Sequence, residues 1–302
     1  MVSLNNFFDH HFSNNLSPHQ NDFHRRRLLA SKLIQNPDVT LRGYCRDPKK
    51  VIAPLASSPQ VELFQGEAYD EEKIRNFVKG SDVVICAYLG DDRLMVEGQK
   101  MLIDACESEG VSRYIASDWA LDYTKLELGE LFPKNPMKPV KAYLETKKSV
   151  KGVHILIGGF IDAIMSPFFS VIDPGTSYEN AAEYTAAVAT DPSAVGVQRF
   201  LGDRKIIKEI AASFERVYGI KPHMERLGSI DDLKSTMHRA QAENPSDILK
   251  YMSLFYMYYW VNGRTFVGPD IQNEEYPNVS PVAWEDFMKA NKLEELSGVF
   301  SA

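Results

Sequence analysis

Val83-Val84-Ile85-Cys86-Ala87-Tyr88-Leu89-Gly90, followed after one helical stretch by Arg113-Tyr114-Ile115-Ala116-Ser117-Asp118-Trp119, decides how this chain folds. Val83 to Ala87 is an apolar run without polar alternation. That pattern suits a strand buried on both faces, and such strands belong to parallel sheets. Spacing from about Leu94 to Glu107 predicts a helix, so strand, crossover helix and strand make a right-handed βαβ unit. In open parallel sheets ligands collect beyond the carboxyl ends of the strands, which places Ala87 to Gly90 and Ser117 to Trp119 on a functional edge. Any one of these residues serves equally well as a plain turn, but two such ends on one edge favour a site.

Working outward, the periodicity of Leu28, Leu29, Leu33 and Ile34 predicts a helix from Phe23 to Gln35, with Asp22 as N-cap and Pro37 as stop. Val39 to Arg46 and Val61 to Phe64 read as strands, and Glu71 to Lys79 as a helix. After Trp119, a loop carrying Pro133, Pro136 and Pro139 leads to a helix from about Val140 to Val150. The buried strand Val153 to Ile157 then ends at Gly158-Gly159-Phe160. The expectation is an α/β fold, a Rossmann-like doubly wound parallel sheet over residues 23–160, with a smaller α+β lobe over 161–302. In that lobe Tyr178 to Thr190, Arg204 to Tyr218 and Asp247 to Asn262 read as helices, and Val197 to Leu201 and His223 to Leu227 as strands. A further helix is capped by Ser229-Ile230-Asp231-Asp232. The aromatic row Phe255, Tyr256, Tyr258, Tyr259, Trp260 suits core packing more than a binding wall.

Residues 1–22 read as a poorly ordered head that does not match the rest. Val2 to Phe8 is its one strand-like piece, broken by Asn5 and Asn6. No carboxylate or thiol stands at ligand spacing from His10 and His11, so a solvated tail suits them better than a metal site.

The 302 residues carry a net charge of -7, which offers no overall basic field for nucleic acid or an anionic membrane. No apolar run approaches the ~20 residues of a membrane span. The three cysteines, Cys45, Cys86 and Cys106, are odd in number and fall in predicted core elements, which points to reduced thiols and a cytoplasmic setting.

Basic residues cluster at the end of the second predicted strand: Arg42 and Arg46, then Lys49 and Lys50. In a dinucleotide-binding sheet that strand end meets the adenosine ribose, where an arginine accommodates the 2′-phosphate of NADP. On the predicted helix before Val153 two arrangements compete for a nicotinamide-positioning or proton-handling role. Lys141, paired with Glu145 at i,i+4, is the preferred candidate. Tyr143 and Lys147, a Tyr-x-x-x-Lys pair on one helical face, are the alternative, and all three also suit a helix surface. His154, inside a strand, reads as a hydrogen-bonded core or edge histidine rather than a base.

Tyr44-Cys45-Arg46-Asp47-Pro48, Ala87-Tyr88-Leu89-Gly90-Asp91, Arg113 to Trp119 and Val153 to Phe160 together resemble the NmrA-like family. These are atypical short-chain dehydrogenases, related to isoflavone reductases and common in fungi. The resemblance runs from about Leu28 to Phe287 and implies an NADP(H)-binding domain. It puts Arg46, Asp47, Pro48, Lys49 and Lys50 at the 2′-phosphate and Gly66 and Glu67 near the adenine. Ala87, Tyr88 and Leu89 would lie along the cofactor, Lys141 at the nicotinamide, and Gly158, Gly159, Phe160 and Ile161 beside it. The implied activity is an NADP(H)-dependent reductase of a small molecule, as in fungal secondary metabolism. The alternative is a non-catalytic NADP(H) sensor that acts through a protein partner.

The chain departs from that family at two places. The family's first strand runs into a Gly-x-x-Gly-x-x-Gly turn, but here no glycine precedes Gly43, and Pro18 to Phe23 stand in its place. Bulky side chains would hold a pyrophosphate off the helix N-terminus, and Asp22 would repel it. The missing strand would also leave two interior sheet edges without a partner, unless Val2 to Phe8 supplies one. The stretch from Ile172 to Ser177 is shorter than the family's pocket-walling segment.

Overall fold

Val2–Asn5 forms a strand (β1) that pairs in parallel with Leu41–Cys45 (β2) on one side and Val83–Cys86 (β4) on the other. The computed structural model describes residues 1–5, 27–163 and 175–296. Within the first five, the expected head is corrected: it holds the central strand of the sheet, and the doubtful first strand is present. Its composition conceals this because only alternate residues are apolar. Successive side chains of a strand point to opposite faces, so Val2 and Leu4 share one face and Ser3 and Asn5 the other. The two polar residues are buried with hydrogen-bond partners: Ser3 Oγ meets Ser81 Oγ at 2.5 Å, and Asn5 Nδ2 donates to the Tyr88 hydroxyl at 3.3 Å. The glycine-poor stretch, Asp22, His10 and His11, and Ile172 to Pro174 lie outside the described residues.

Two compact units make up the chain, each drawn from separated stretches. The first comprises Met1–Trp119, Pro136–Leu156 and Ala181–Gln198; the second comprises Ala120–Asn135, Ile157–Asn180 and Arg199–Ala302. The division is therefore not a single cut after residue 160.

In the first unit, β1, β2 and β4 join Val61–Gln65 (β3), Arg113–Ile115 (β5), Lys151–Leu156 (β6) and, reaching into Arg199, Gly196–Arg199 (β9) in one seven-stranded sheet of order β3-β2-β1-β4-β5-β6-β9. Every pairing from β3 across to β6 is parallel. The strand order reverses between β1 and β4, where successive crossovers leave in opposite directions. Residues 27–33 (α1) and Ala53–Ala56 (α2) are helical. On one face of the sheet, helices Glu71–Val78 (α3), Gln99–Ser108 (α4) and Met137–Glu145 (α5) bury Ile74, Phe77, Leu102, Ile103, Val140 and Leu144 against Tyr44, Val84, Cys86 and Tyr114. All three cysteines are buried free thiols. α5 begins earlier than the prolines suggest, at Met137 with Pro136 as N-cap. Pro139 then falls in the first helical turn, where backbone N–H groups need no intrahelical partner.

Tyr178–Thr190 (α6) mostly belongs to this unit, and a buried arginine holds its end. Arg113 donates to the carbonyls of Val188 at 2.8 Å and Ala189 at 2.7 Å, in the last turn of the helix where carbonyls lack intrahelical partners. At the opposite end of α4, Glu107 accepts from the N–H groups of Lys148, Ser149 and Val150, which lead into β6.

The second unit has two apolar clusters. Ile207–Tyr218 (α7) and Trp284–Ala290 (α10) bury Ile210, Trp284 and Met288 with Ile161. Ile230–Glu243 (α8) and Leu249–Val261 (α9) bury Met237, Tyr251, Phe255 and Tyr259 with Leu121, Leu126 and Leu131. Tyr256, Tyr258 and Trp260 pack on the same cluster, so the aromatic row is core. The strand expected at His223 to Leu227 is absent; Met224 and Leu227 are exposed there without a partner strand to bury them. No described helix is long and apolar enough to cross a membrane.

Two outcomes follow from the polar contacts of the first unit. Replacing Arg113 with Met should strip the α6 carbonyls of their donors and lower unfolding free energy by about 3 kcal/mol, measured by urea denaturation. Burial alone would push the Glu107 carboxyl up, but the N–H groups of Val150, Lys148 and Ser149 outweigh it and hold it at about 2. A carboxylate held low in the fold stabilises it above its ordinary value of 4.5 and loses that contribution as pH falls toward 2. Glu107→Gln should therefore lower the melting temperature at pH 7 and flatten its decline between pH 4.5 and 2; an unchanged acid limb would contradict this.

Candidate functional site

At the carboxyl edge of the first unit, the turns after β2 and β3 are built against each other. Gly66 N–H donates to the Cys45 carbonyl at 3.1 Å, and Gln65 Nε2 donates to the Arg46 carbonyl at 2.8 Å. Asp47 caps the short helical turn Pro48–Lys50 by accepting from Lys49 N at 3.1 Å, which leaves Lys49 and Lys50 exposed in its last turn. Gly66 is required by packing: a Cβ there would lie 2.0 Å from the Tyr44 hydroxyl, which donates to the Glu67 carbonyl at 2.9 Å. The structure thus brings Arg46, Asp47, Pro48, Lys49, Lys50, Gly66 and Glu67 into adjacent turns. Arg42 stands apart, at the other end of β2: it pairs with Glu62 at 3.0 Å and donates to the Phe77 and Lys79 carbonyls.

Next along the edge, Ala87 and Tyr88 are buried and Leu89 is exposed. The Tyr88 hydroxyl accepts from Asn5 and donates to the Ala68 carbonyl at 3.5 Å, joining the ends of β1 and β4 to the loop after β3. Burial pushes that phenol far above its ordinary range, so it stays neutral. From Leu94 to Gly98 the chain makes a π-type turn before α4, a feature common at functional sites.

The end of β5 is held from several directions. Gln99, buried, accepts from Ser117 N at 3.1 Å and from the Tyr114 hydroxyl at 3.2 Å, while Ser117 Oγ donates to the Tyr88 carbonyl at 2.6 Å. Asp118 Oδ2 meets His154 Nδ1 at 2.7 Å with both side chains buried, so His154 is a paired histidine of the interior. Trp119 adopts a φ of 36°, a backbone conformation costly for a bulky residue, and its indole N–H donates to Thr185 Oγ1 at 2.8 Å. Such strain persists where surrounding contacts over-determine it, and it is characteristic of binding and catalytic sites.

The candidates on α5 do not join this set, and the helix expected to reach Val150 ends at Glu145, which leaves Lys147 beyond it. Lys141 forms an ion pair with Glu145. Tyr143 donates to Asp104 of α4 at 2.7 Å, and Lys147 pairs with the same carboxylate while its ammonium lies 4.0 Å from the Tyr143 ring centroid. Burial alone would lower Lys147, but Asp104 and the Tyr143 hydroxyl outweigh it and hold the amine above its ordinary value. Gly158, Gly159, Phe160 and Ile161 follow β6 in the second unit. Gly158 has a φ of 72°, Gly159–Phe160 (β7) pairs with Gly175–Thr176 (β8), and Phe160 stacks on Tyr178 at 4.4 Å. A Cβ on Gly175 would fall 1.8 Å from the Gly159 carbonyl oxygen, so the close approach of these strands requires glycine at 175.

Asn5, Gln99 and the Asp118–His154 pair escape a reading by motif. A buried asparagine or glutamine carries no sequence signature; only the polar residue ending the short alternation Val2-Ser3-Leu4-Asn5 hints at it.

Residues 27–155 match the family model described as NAD(P)H-binding. Over 94 residues, 31% of this chain, the sequence is 32% identical to an isoflavone reductase of Glycine max, and the match spans 26% of that relative's length. The fold is similar to a crystal structure of isoflavone reductase, with a TM-score of 0.73 at 16% identity over 96% of this chain and 98% of that one. It is likewise similar to an NADPH-dependent quinone oxidoreductase of Escherichia coli complexed with NADPH, with a TM-score of 0.69 at 13% identity over 96% and 99%. A triphenylmethane reductase of Citrobacter complexed with NADP(H) gives a TM-score of 0.67 at 13% identity over 96% and 99%. The first unit is therefore a Rossmann-like parallel sheet, and residues 27–155 of the chain are similar to NAD(P)H-binding domains.

Proposed function

We propose that this chain is an NADP(H)-dependent oxidoreductase of a small molecule, akin to the isoflavone-reductase-like, NmrA-like proteins. The observation that carries it is the cationic turn after β2, with Arg46, Lys49 and Lys50 next to the Gly66–Glu67 turn of β3. Arginine and lysine beside the second strand of such a sheet suit the 2′-phosphate that distinguishes NADP from NAD. A dinucleotide also fits the edge in a second respect, since Asn5 presents a buried polar atom with no donor among the described residues, beside the strand-order reversal. When bound, NADPH would supply the hydride. Arg46, Lys49 and Lys50 would fix the adenosine end, and the braced Ser117 to Trp119 turn would hold its shape without reorganising. Lys141 would orient the nicotinamide ribose once it exchanges Glu145 for a ribose hydroxyl. A reductase role in fungal secondary metabolism is the natural setting for such a protein.

One observation favours a second reading. Tyr143 and Lys147 are both engaged by Asp104, and Lys141 by Glu145, so each proton-handling candidate already has a partner. A non-catalytic NADP(H) sensor acting through a protein partner needs none of them.

Titration of purified protein with NADPH, followed by nicotinamide fluorescence and melting temperature, should show saturable binding; no response at millimolar cofactor would reject both readings. Replacing Arg46, Lys49 and Lys50 together with Ala should weaken NADPH at least tenfold while leaving NADH affinity within about twofold. Lys141→Ala should reduce turnover far more than Lys147→Ala. The reverse order would transfer the role to Tyr143 and Lys147, and binding without turnover of any reducible substrate would leave the sensor.

A further inference from the structure

Asn5 is wholly buried at the carboxyl end of the central strand, and its two side-chain atoms are treated unequally. Nδ2 donates to the Tyr88 hydroxyl, whereas among the described residues no group donates to Oδ1. Leaving a buried carbonyl oxygen unmet is costly, and buried polar groups in folded proteins are nearly always paired. An apolar residue would complete β1 without that cost, as Val2 and Leu4 do. Gln198 Oε1 and Trp284 Nε1 are also unmet, but Gln198 lies on the edge strand β9 and Trp284 in the second unit. Asn5 alone of these three stands where the strand order reverses, its Cα in register with Tyr44 of β2 and Cys86 of β4.

We propose that Asn5 Oδ1 is a specificity contact that accepts a hydrogen bond from the adenosine half of the dinucleotide, from a ribose hydroxyl or the adenine amino group. This rests on the NADP(H) reading above. The chemistry follows from the atom itself: an amide oxygen accepts and would repel a phosphate oxygen, so at β1 this chain offers an acceptor to a neutral donor. The adenosine half is favoured because Asn5 is one strand from Arg46. Its partner Tyr88 also bonds to Ala68, two residues beyond Gly66. Tyr88, kept neutral by burial, orients the amide through Nδ2, so that Oδ1 is the amide atom left without a donor among the described residues.

Calorimetric titration with NADPH and with adenosine 2′,5′-bisphosphate tests this, using wild type, Asn5→Leu and Asn5→Val. Both variants should keep or raise the melting temperature of the ligand-free protein and weaken both ligands at least tenfold. On wild type, the 3′-deoxy or the N6,N6-dimethyl form of the bisphosphate should lose a comparable factor, and on Asn5→Leu that analogue should lose nothing further. The analogue measurements on wild type decide the matter even where neither variant folds. Unchanged affinity in the variants, or full affinity of both analogues on wild type, overturns the proposal and leaves Oδ1 to an ordered water. Failure of wild type to bind either parent ligand instead rejects the NADP(H) reading on which it rests.

Discussion

Backbone pairing of four residues, Val2 to Asn5, is the constraint on which the rest of the first unit depends. An interior strand of a parallel sheet must satisfy N–H and C=O groups on both neighbours, because water cannot reach them there. β1 does this in register with β2 and β4, and the ladder is extended at its ends by Val2 N–H to Thr40 at 2.9 Å and Ala87 N–H to Asn5 at 3.3 Å. Without it β2 and β3 would form one small sheet and β4, β5 and β6 another. Placing β1 between them sets the carboxyl ends of β2, β3 and β4 along one edge.

That edge is held by side chains more than by backbone. Gln99 joins the start of α4 to the end of β5 by accepting from Tyr114 and Ser117 while its amide donates to the Met95 carbonyl at 2.8 Å. A buried network is stable when each member is satisfied, and this one fixes Ser117, where the turn to the strained Trp119 begins. Rigid turns of this kind suit a ligand held in a fixed pose. They contrast with the exposed lysines after β2, whose flexible stems suit recognition of a charge.

The Tyr143/Lys147 pair shows why spacing alone does not locate chemistry. Residues four apart share a helical face, but that face can be turned toward any neighbour. Here α5 ends at Glu145, before Lys147, and the two side chains meet at Asp104 of α4. Direction matters as well. α5 precedes β6 and runs against the strands, so Lys147, four residues before β6 begins, lies toward the amino edge of the sheet.

Elements with a strong local pattern were legible in the chain itself. The apolar runs of β4 and β6, the helices α3, α6 and α9, and the basic turn after β2 follow from periodicity, and the family resemblance came from residues on those same elements. Local pattern failed where burial is imposed from a distance. Val2-Ser3-Leu4-Asn5 resembles a polar tail until Ser81 and Tyr88, some eighty residues later in the chain, supply partners for its two polar side chains. His154 needs Asp118, Trp119 needs Thr185, and Gln99 needs Tyr114 and Ser117 before any of them acquires a role. Sequence by itself therefore determined the strongly patterned strands and helices and raised the expectation of a dinucleotide, because hydrophobic period and charge are local properties. The tertiary structure alone decided the central strand and the wiring of the edge, because a hydrogen bond that makes a buried polar residue tolerable joins positions that no local pattern connects.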